Sequence, residues 1–431
     1  MNTKRAKGHT SPDAADYLIA SKSCELMNLQ YFLQMGKLVQ CISNLVHALQ
    51  CERGASNVFL GSDGEKFSEE RQTMASRSDQ LREEFNQALA DIHQELTRHP
   101  VSPTLLNQVA GALHALEGLP GLRSRVAAKE ITAPDATEQY CQLIHSLIAV
   151  VFEAADVAVD PSIAGPLVAM VHLMNGKEFC GQERAVGSAG FSSGHFEHAL
   201  SERMAHLIES QERCFEVFTS FADEGSLKLW QQLRDNPRED EIRKLRQLGV
   251  SIGRYKSFDT ALADGWFRLM SERMDELKRV EDAVEGCFHA RCSQRFAEAQ
   301  KSLAHQETLI ASLDAQAPVS QPMLVLCDSV RDQPAGEAWA SDGVGQQFGR
   351  SIFHLVQEQT NRLQQMDNEL QGAREALEDR KTQEKAVLLL MEHRKISNDE
   401  AHRVLRRLAM DQGRKLPEVA RALLSMADVL K

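Results

Sequence analysis

Two arginines sit in matching surroundings in distant parts of the chain. Arg53 lies in Cys51-Glu52-Arg53-Gly54 and Arg184 in Gln182-Glu183-Arg184-Ala185. Counting from each arginine, a large apolar residue stands at +7 (Leu60, Phe191) and a serine at +9 (Ser62, Ser193). A phenylalanine follows at +14 in the first copy and +12 in the second (Phe67, Phe196), so the copies differ there by a short indel. A repeat of this kind puts the arginines at equivalent positions in two similar units. Two guanidinium groups converging across the seam would form an anion pocket, because each presents a rigid fork of N–H donors that fits a planar oxyanion. Lysine would offer only a point charge. For either arginine alone, an ion pair with a carboxylate on a neighbouring helix is the simpler account, and the matched placement brings the two accounts level.

A second group of cations lies at the other end. Of the 49 Lys/Arg and 61 Asp/Glu in the chain, eleven and seven fall in residues 381–431, leaving 38 and 54 before them. The tail therefore carries +4 and the body −16, which suggests a polyanion-binding head controlled by an acidic body. Its candidate contacts are Arg394, Lys395, Arg403, Arg406, Arg407, Arg414 and Lys415. No aromatic residue follows Phe353, so nucleic acid would be held by phosphate contacts, by guanidinium planes laid on exposed bases, and by hairpin shape.

Three short helices are expected to carry these side chains. The first spans about Glu384 to Lys395. The second opens at Ser397 with Glu400 three residues on, the capping-box spacing, and stops near Gly413. The third starts at Pro417. On the second helix Ala401, Val404, Leu405 and Leu408 share one stripe, with Arg403, Arg406 and Arg407 opposite. Upstream, Ile352, Val356, Gln359, Leu363, Met366, Leu370, Ala373, Leu377 and Arg380 keep a 4-3 spacing, a heptad seam that suits a homodimer contact or packing on the body of the same chain. Pro318, Pro322, Pro334, Gly336, Gly343 and Gly345 mark a linker before that rod. The Gly343–Gly349 stretch has the wrong spacing for a dinucleotide fingerprint.

Residues 13–313 show long helical patterns and no convincing strand alternation. The most apolar stretch, Leu143 to Val159, is broken by His145, Glu153 and Asp156 and is short for a membrane span. The N-terminus has Lys4, Arg5 and Lys7 but no apolar run after them, so it is not a signal peptide, and a cytoplasmic protein is expected. Nine cysteines are scattered without a CxxC pair. Cys287 and Cys292 are the closest approach to a metal site, and buried reduced thiols explain them better. No HExxH, Walker A or kinase signature occurs, so neither an enzyme nor a cofactor is expected.

Two resemblances add to this reading. Leu390-Met391, Ser397-x-x-Glu400-Ala401-x-x-x-Leu405-Arg406-x-x-Ala409-Met410 and Val419-Ala420 resemble the ANTAR domain of transcription antiterminators. The resemblance implies binding to a leader-RNA hairpin that prevents a terminator from forming. Many members have Ala-Lys-Gly where this chain has Ala386-Val387-Leu388. Leu49-Gln50-x-Glu52-Arg53-Gly54-Ala55-Ser56, Gly176-Lys177-Glu178-Phe179-x-Gly181-Gln182-Glu183-Arg184-Ala185 and Trp266-Phe267 with Arg273-Met274-Asp275 and Val280-Glu281 resemble the nitrate- and nitrite-sensing NIT domain. That resemblance implies two packed four-helix bundles with the anion held by Arg53 and Arg184. It implies a further arginine from a later helix, for which Arg246 is the match and Arg243 or Arg273 the fallback.

The expectation is an all-α regulator. It has a tail (1–12), a helical sensor (13–313), a linker (314–349), a coiled-coil connector (350–381) and an ANTAR head (382–431). Nitrate or nitrite is the regulatory ligand and a leader-RNA hairpin the partner, with no membrane and with the 352–380 seam available for a homodimer. The alternative is a signalling scaffold whose basic tail docks on an acidic protein surface.

Overall fold

The computed structural model describes residues 14–98, 103–156, 161–251, 259–314, 378–391, 393–396 and 398–429. The tail, the linker, nearly all of the heptad seam and Ser397 lie outside these residues. Among the described residues the secondary structure is helical, with no strand. In chain order the helices are α1 (Ala14–Gly61), α2 (Ser68–Arg98), α3 (Pro103–Glu117), α4 (Leu119–Ala127) and α5 (Ala133–Asp156). Then come α6 (Pro161–Ser192), α7 (His198–Phe221), α8 (Glu224–Arg234), α9 (Pro237–Val250) and α10 (Leu262–Asp314). The C-terminal region holds α11 (378–391), α12 (Asn398–Gln412) and α13 (Leu416–Val429).

The repeat read from the arginines extends through the sensor. Helices α1 and α6 both end eight residues after their arginine, at Gly61 and Ser192. Both are followed by the same turn. The Ser62 and Ser193 hydroxyls donate back to the carbonyls of Phe59 (3.1 Å) and Gly190 (3.0 Å). Gly64 (φ 89°) and Gly194 (φ 71°) then take the left-handed conformation that a side chain disfavours. Each copy continues with a long helix (α2, α7), two short ones (α3 and α4, α8 and α9) and a closing helix (α5, α10). The short pairs are punctuated by local chemistry. Gly118 separates α3 from α4, while Asn236 caps α9 by accepting from the Arg238 N–H, with Pro237 at the first helical positions.

The chain divides into two compact units. In its described residues, one comprises 14–32 and 292–314, where Lys22 bonds Glu25 at 2.7 Å and Arg295 approaches it at 3.7 Å. The other comprises 33–291 and 378–429 and holds both the repeated arginines and the head. Helix α6 packs against α5 and α7. It is buried on nearly every side, which leaves its charged residues Lys177, Glu178, Glu183 and Arg184 out of solvent. Buried charges need partners, and those partners shape the site. Lys177 pairs with Glu281 at 2.6 Å, and Glu281 also accepts from the Ser43 hydroxyl at 3.0 Å.

The head has its own small core, with Ala386, Val387 and Leu390 of α11, Ala401, Leu405 and Ala409 of α12, and Val419 and Ala420 of α13. Val404, Leu408, Leu423 and Leu424 pack around it. Helix α12 stops at Gly413 (φ 59°), and the Arg414 N–H closes the end on the Ala409 carbonyl at 3.1 Å. Arg380, the last residue of the heptad pattern, donates to Glu384 (3.1 Å) on its own helix and to Asn175 of α6 (3.0 Å). No helix of the described residues is long and apolar enough to cross a membrane.

Candidate anion-binding site and basic head

Arg53 on α1 and Arg184 on α6 are 1% and 3% exposed and line one small pocket. Gly54, Asn57, Gly181, Ala185, Ser188 and Phe267 complete its wall. Two glycines allow the close approach. A Cβ on Gly54 would stand 2.3 Å from Nη2 of Arg184, and one on Gly181 would stand 2.3 Å from Nη2 of Arg53. Each repeat thus leaves out a side chain where the other repeat's guanidinium lies.

The two arginines differ in charge compensation. Nη1 of Arg53 donates to Glu178 Oε1 at 2.5 Å and to Cys141 Sγ at 2.9 Å. Gln50 and Gln182 hold the Glu178 carboxylate at 2.9 and 3.0 Å. Burial works against the Arg53 charge, but Cys141 and Glu178 outweigh it and hold its pKa above the ordinary arginine value. Arg184 instead donates to the Ser271 hydroxyl and the Gln50 carbonyl, both at 2.8 Å, and lies 4.9 Å from the centre of the Phe267 ring. Among the described residues no carboxylate lies within ion-pair distance of it. Burial, with the Arg53 charge adding to it, lowers its pKa. Two guanidinium charges against one carboxylate leave the pocket one positive charge in excess.

The glutamates beside the arginines form a second matched pair. Glu52 accepts from Nε and Nη2 of Arg123 at 2.6 and 2.9 Å and from the Tyr140 hydroxyl at 2.8 Å. Glu183 accepts from Nε and Nη2 of Arg246, both at 2.7 Å, and from Gln211 at 2.7 Å. In each repeat the last short helix, α4 or α9, supplies an arginine that grips the glutamate side-on. Arg246 therefore has a different position from the one expected for it: it buttresses Glu183 and does not line the pocket. Arg273 does not line it either, since it faces Glu239 (2.8 Å), Gln211 (2.9 Å) and Cys180 (3.4 Å). Arg243 pairs with Asp240 at the surface, at 2.6 Å.

Arg53 leaves the equivalent edge unused. Its Nε and Nη2 are buried with no hydrogen-bond partner among the described residues, as are those of Arg273, whose Nε however lies 2.8 Å from a Glu239 oxygen. This is the edge with which Arg123 and Arg246 each bind a carboxylate. Burying charged donors unmatched is costly, and an oxyanion is the group that fits that edge. Sequence reasoning missed Arg123, Ser188, Asn57 and Phe267. The two Glu-Arg pairs were a usable signal for Arg123, because two buried glutamates call for two counterions.

The head meets the sensor along α7. Arg403 Nη1 donates to Glu202 at 2.7 Å, Arg406 pairs with Glu209, and Arg406 Nη2 lies 3.3 Å from Nε2 of His206. The rings of His206 and His402 stand 5.7 Å apart. Lys381 pairs with Asp156 at 2.5 Å. Of the seven cations expected to meet nucleic acid, Arg403 and Arg406 are thus engaged with α7. Arg394, Lys395, Arg407, Arg414 and Lys415 are exposed.

Comparison with known proteins agrees with this architecture. The nitrate and nitrite sensing (NIT) family pattern matches residues 44–288 and the ANTAR domain pattern matches residues 371–424. The nitrate regulatory protein of Klebsiella oxytoca is 31% identical over 420 residues, covering 96% of both chains. The solved structure of the NasR transcription antiterminator is 29% identical with a TM-score of 0.59, covering 97% of this chain and all of that one. With the NIT pattern spanning more than half of the chain, the protein belongs to the nitrate- and nitrite-sensing regulators that carry an ANTAR domain.

Proposed function

We propose that this chain is a cytoplasmic, nitrate-responsive transcription antitermination regulator, in which an anion held between Arg53 and Arg184 controls whether the ANTAR head is free to bind a leader-RNA hairpin. The observation that carries the reading is the pocket itself. Two buried guanidiniums from matched repeat positions converge on a space with one excess positive charge and an unmatched side-on edge. Nitrate and nitrite are planar, singly charged and weakly hydrated, so they balance that charge at a modest desolvation cost.

The route to the head runs along α6. That helix carries Arg184 and Glu178 at the pocket and Asn175 against Arg380 at the root of the head. An anion on the Nε–Nη2 edge of Arg53 would sit beside Glu178 on Nη1 and repel its carboxylate, and any shift of α6 in response alters the seat of Arg380. The head is held on α7 by Arg403–Glu202 and Arg406–Glu209, which uses part of the face that would meet phosphate. Release would free both arginines for RNA. Driving such a switch from 1:99 to 99:1 takes about 5.5 kcal/mol of preferential binding. Charge-assisted hydrogen bonds contribute about 1.5–3 kcal/mol each, so the anion must engage both arginines in one state and at most one in the other.

Calorimetric titration of nitrate into the full chain, against chloride at equal ionic strength, tests the pocket. Saturable binding that is lost in Arg53→Met and in Arg184→Met, with both variants folded by circular dichroism, is expected. Binding that survives both substitutions would place the anion elsewhere.

A further inference from the structure

We infer that the Ser188 hydroxyl reads the third oxygen of the bound anion and thereby makes the site prefer nitrate over nitrite. This rests on the proposed anion pocket and concerns its selectivity.

Ser188 lies one turn beyond Arg184 on α6, and its Oγ is buried without a partner among the described residues while the residue lines the same pocket as both arginines. That is unusual in this chain. Ser23, Ser76, Ser78 and Ser124, also within helices, each donate to the carbonyl four residues back, at 2.9, 3.0, 3.1 and 2.9 Å. The carbonyl four residues before Ser188 belongs to Arg184, and it already accepts from the Trp266 indole N–H at 3.0 Å. Gly187 makes that contact possible, since a Cβ there would lie 2.2 Å from the indole nitrogen. Trp266 takes the place that a back-bonding serine would use, and the Ser188 proton is left for something in the pocket.

The donor count then separates the two anions. The Nε and Nη2 edge of Arg53 presents two parallel N–H groups, which suit two oxygens of one planar anion. Nitrate and nitrite both satisfy that edge. Only nitrate has a third oxygen, and Ser188 offers the buried, unmatched hydroxyl that lines the pocket, beside the less enclosed amide of Asn57. Sites built to hydrogen-bond a group discriminate strongly against analogues that lack it, because their own polar atom is left buried and unpaired.

The test is calorimetric titration of nitrate and of nitrite, at matched ionic strength, into the full chain and into Ser188→Ala and Ser188→Thr. Losing one hydrogen bond to a charged group predicts about a tenfold or larger rise in nitrate Kd for Ser188→Ala. Nitrite Kd should change less than about threefold, so the preference collapses, while Ser188→Thr, which keeps the hydroxyl, retains nitrate preference. Should Ser188→Ala fail to fold, Ser188→Cys, with a far weaker donor, is read in the same way. Unchanged nitrate affinity, or an equal loss for both anions, overturns the inference while leaving the pocket in place. Binding of neither anion by the unaltered chain, or binding indifferent to Arg53→Met and Arg184→Met, overturns the pocket and the selectivity with it.

Discussion

Removing the two acidic partners of the head should raise RNA binding when no nitrate is present. The double variant Glu202→Ala/Glu209→Ala deletes the carboxylates that hold Arg403 and Arg406 on α7. Both ends of the first pair are substantially exposed (45% and 37%), and in the second the Glu209 end is 52% exposed. Exposed pairs contribute about 0.2–1 kcal/mol each, so together they hold the head with about 1 kcal/mol. Arg406 adds to the push, because burial against the sensor lowers its pKa and without Glu209 its charge is poorly compensated there. One kcal/mol is about a fivefold change in the docking equilibrium. The expected result is a two- to five-fold gain in leader-RNA affinity without nitrate, as an order-of-magnitude estimate, with nitrate-saturated affinity unchanged. Fluorescence anisotropy with a labelled hairpin at one fixed ionic strength reads this, since salt weakens docking and RNA binding alike. An unchanged affinity without nitrate would refute the idea that these pairs restrain the head.

Three further outcomes follow from the sensor. Gly54→Ala and Gly181→Ala place a methyl against the Arg184 and Arg53 guanidiniums; each should keep the fold and weaken nitrate binding about tenfold or more, by loss of a charge-assisted bond, and calorimetry showing wild-type affinity would contradict this. Arg123→Met strands the fully buried Glu52 and should cost about 3–5 kcal/mol in urea unfolding, part of it recovered by adding Glu52→Gln; a loss below about 1 kcal/mol would show that Tyr140 and water suffice. His47 and His172 are held at about 2 and about 3, chiefly by burial. Their folded values lie below the ordinary 6.5, so their contribution is fully present above pH 6.5 and is lost as pH falls below it, at up to about 1.4 kcal/mol per unit for each. His172→Leu should flatten the stability profile between pH 6.5 and about 4, and an unchanged slope would mean that His172 protonates in place.

The matched arginines were legible because the chain repeats a local device: each helix ends at the same distance from its arginine and enters the same serine–glycine turn. The head was legible because its apolar stripe follows the helical period and Gly413 and Pro417 punctuate it. The roles of Arg246 and Arg123 were not legible. Both are set by contacts across long stretches of chain, 63 and 71 residues respectively, that no local spacing records. The opposite charges of body and tail implied that acids face arginines, yet only the packing shows that Glu202 and Glu209 of α7 are the ones that do.

The most direct test is the affinity of the full chain for a structured leader-RNA hairpin with and without nitrate, ionic strength being matched with chloride, alongside Arg184→Met. The account predicts tighter RNA binding with nitrate in the unaltered chain and no nitrate effect in the variant. Equal RNA affinity in the two conditions for the unaltered chain would contradict it, since an anion that binds without favouring the released head cannot operate the switch.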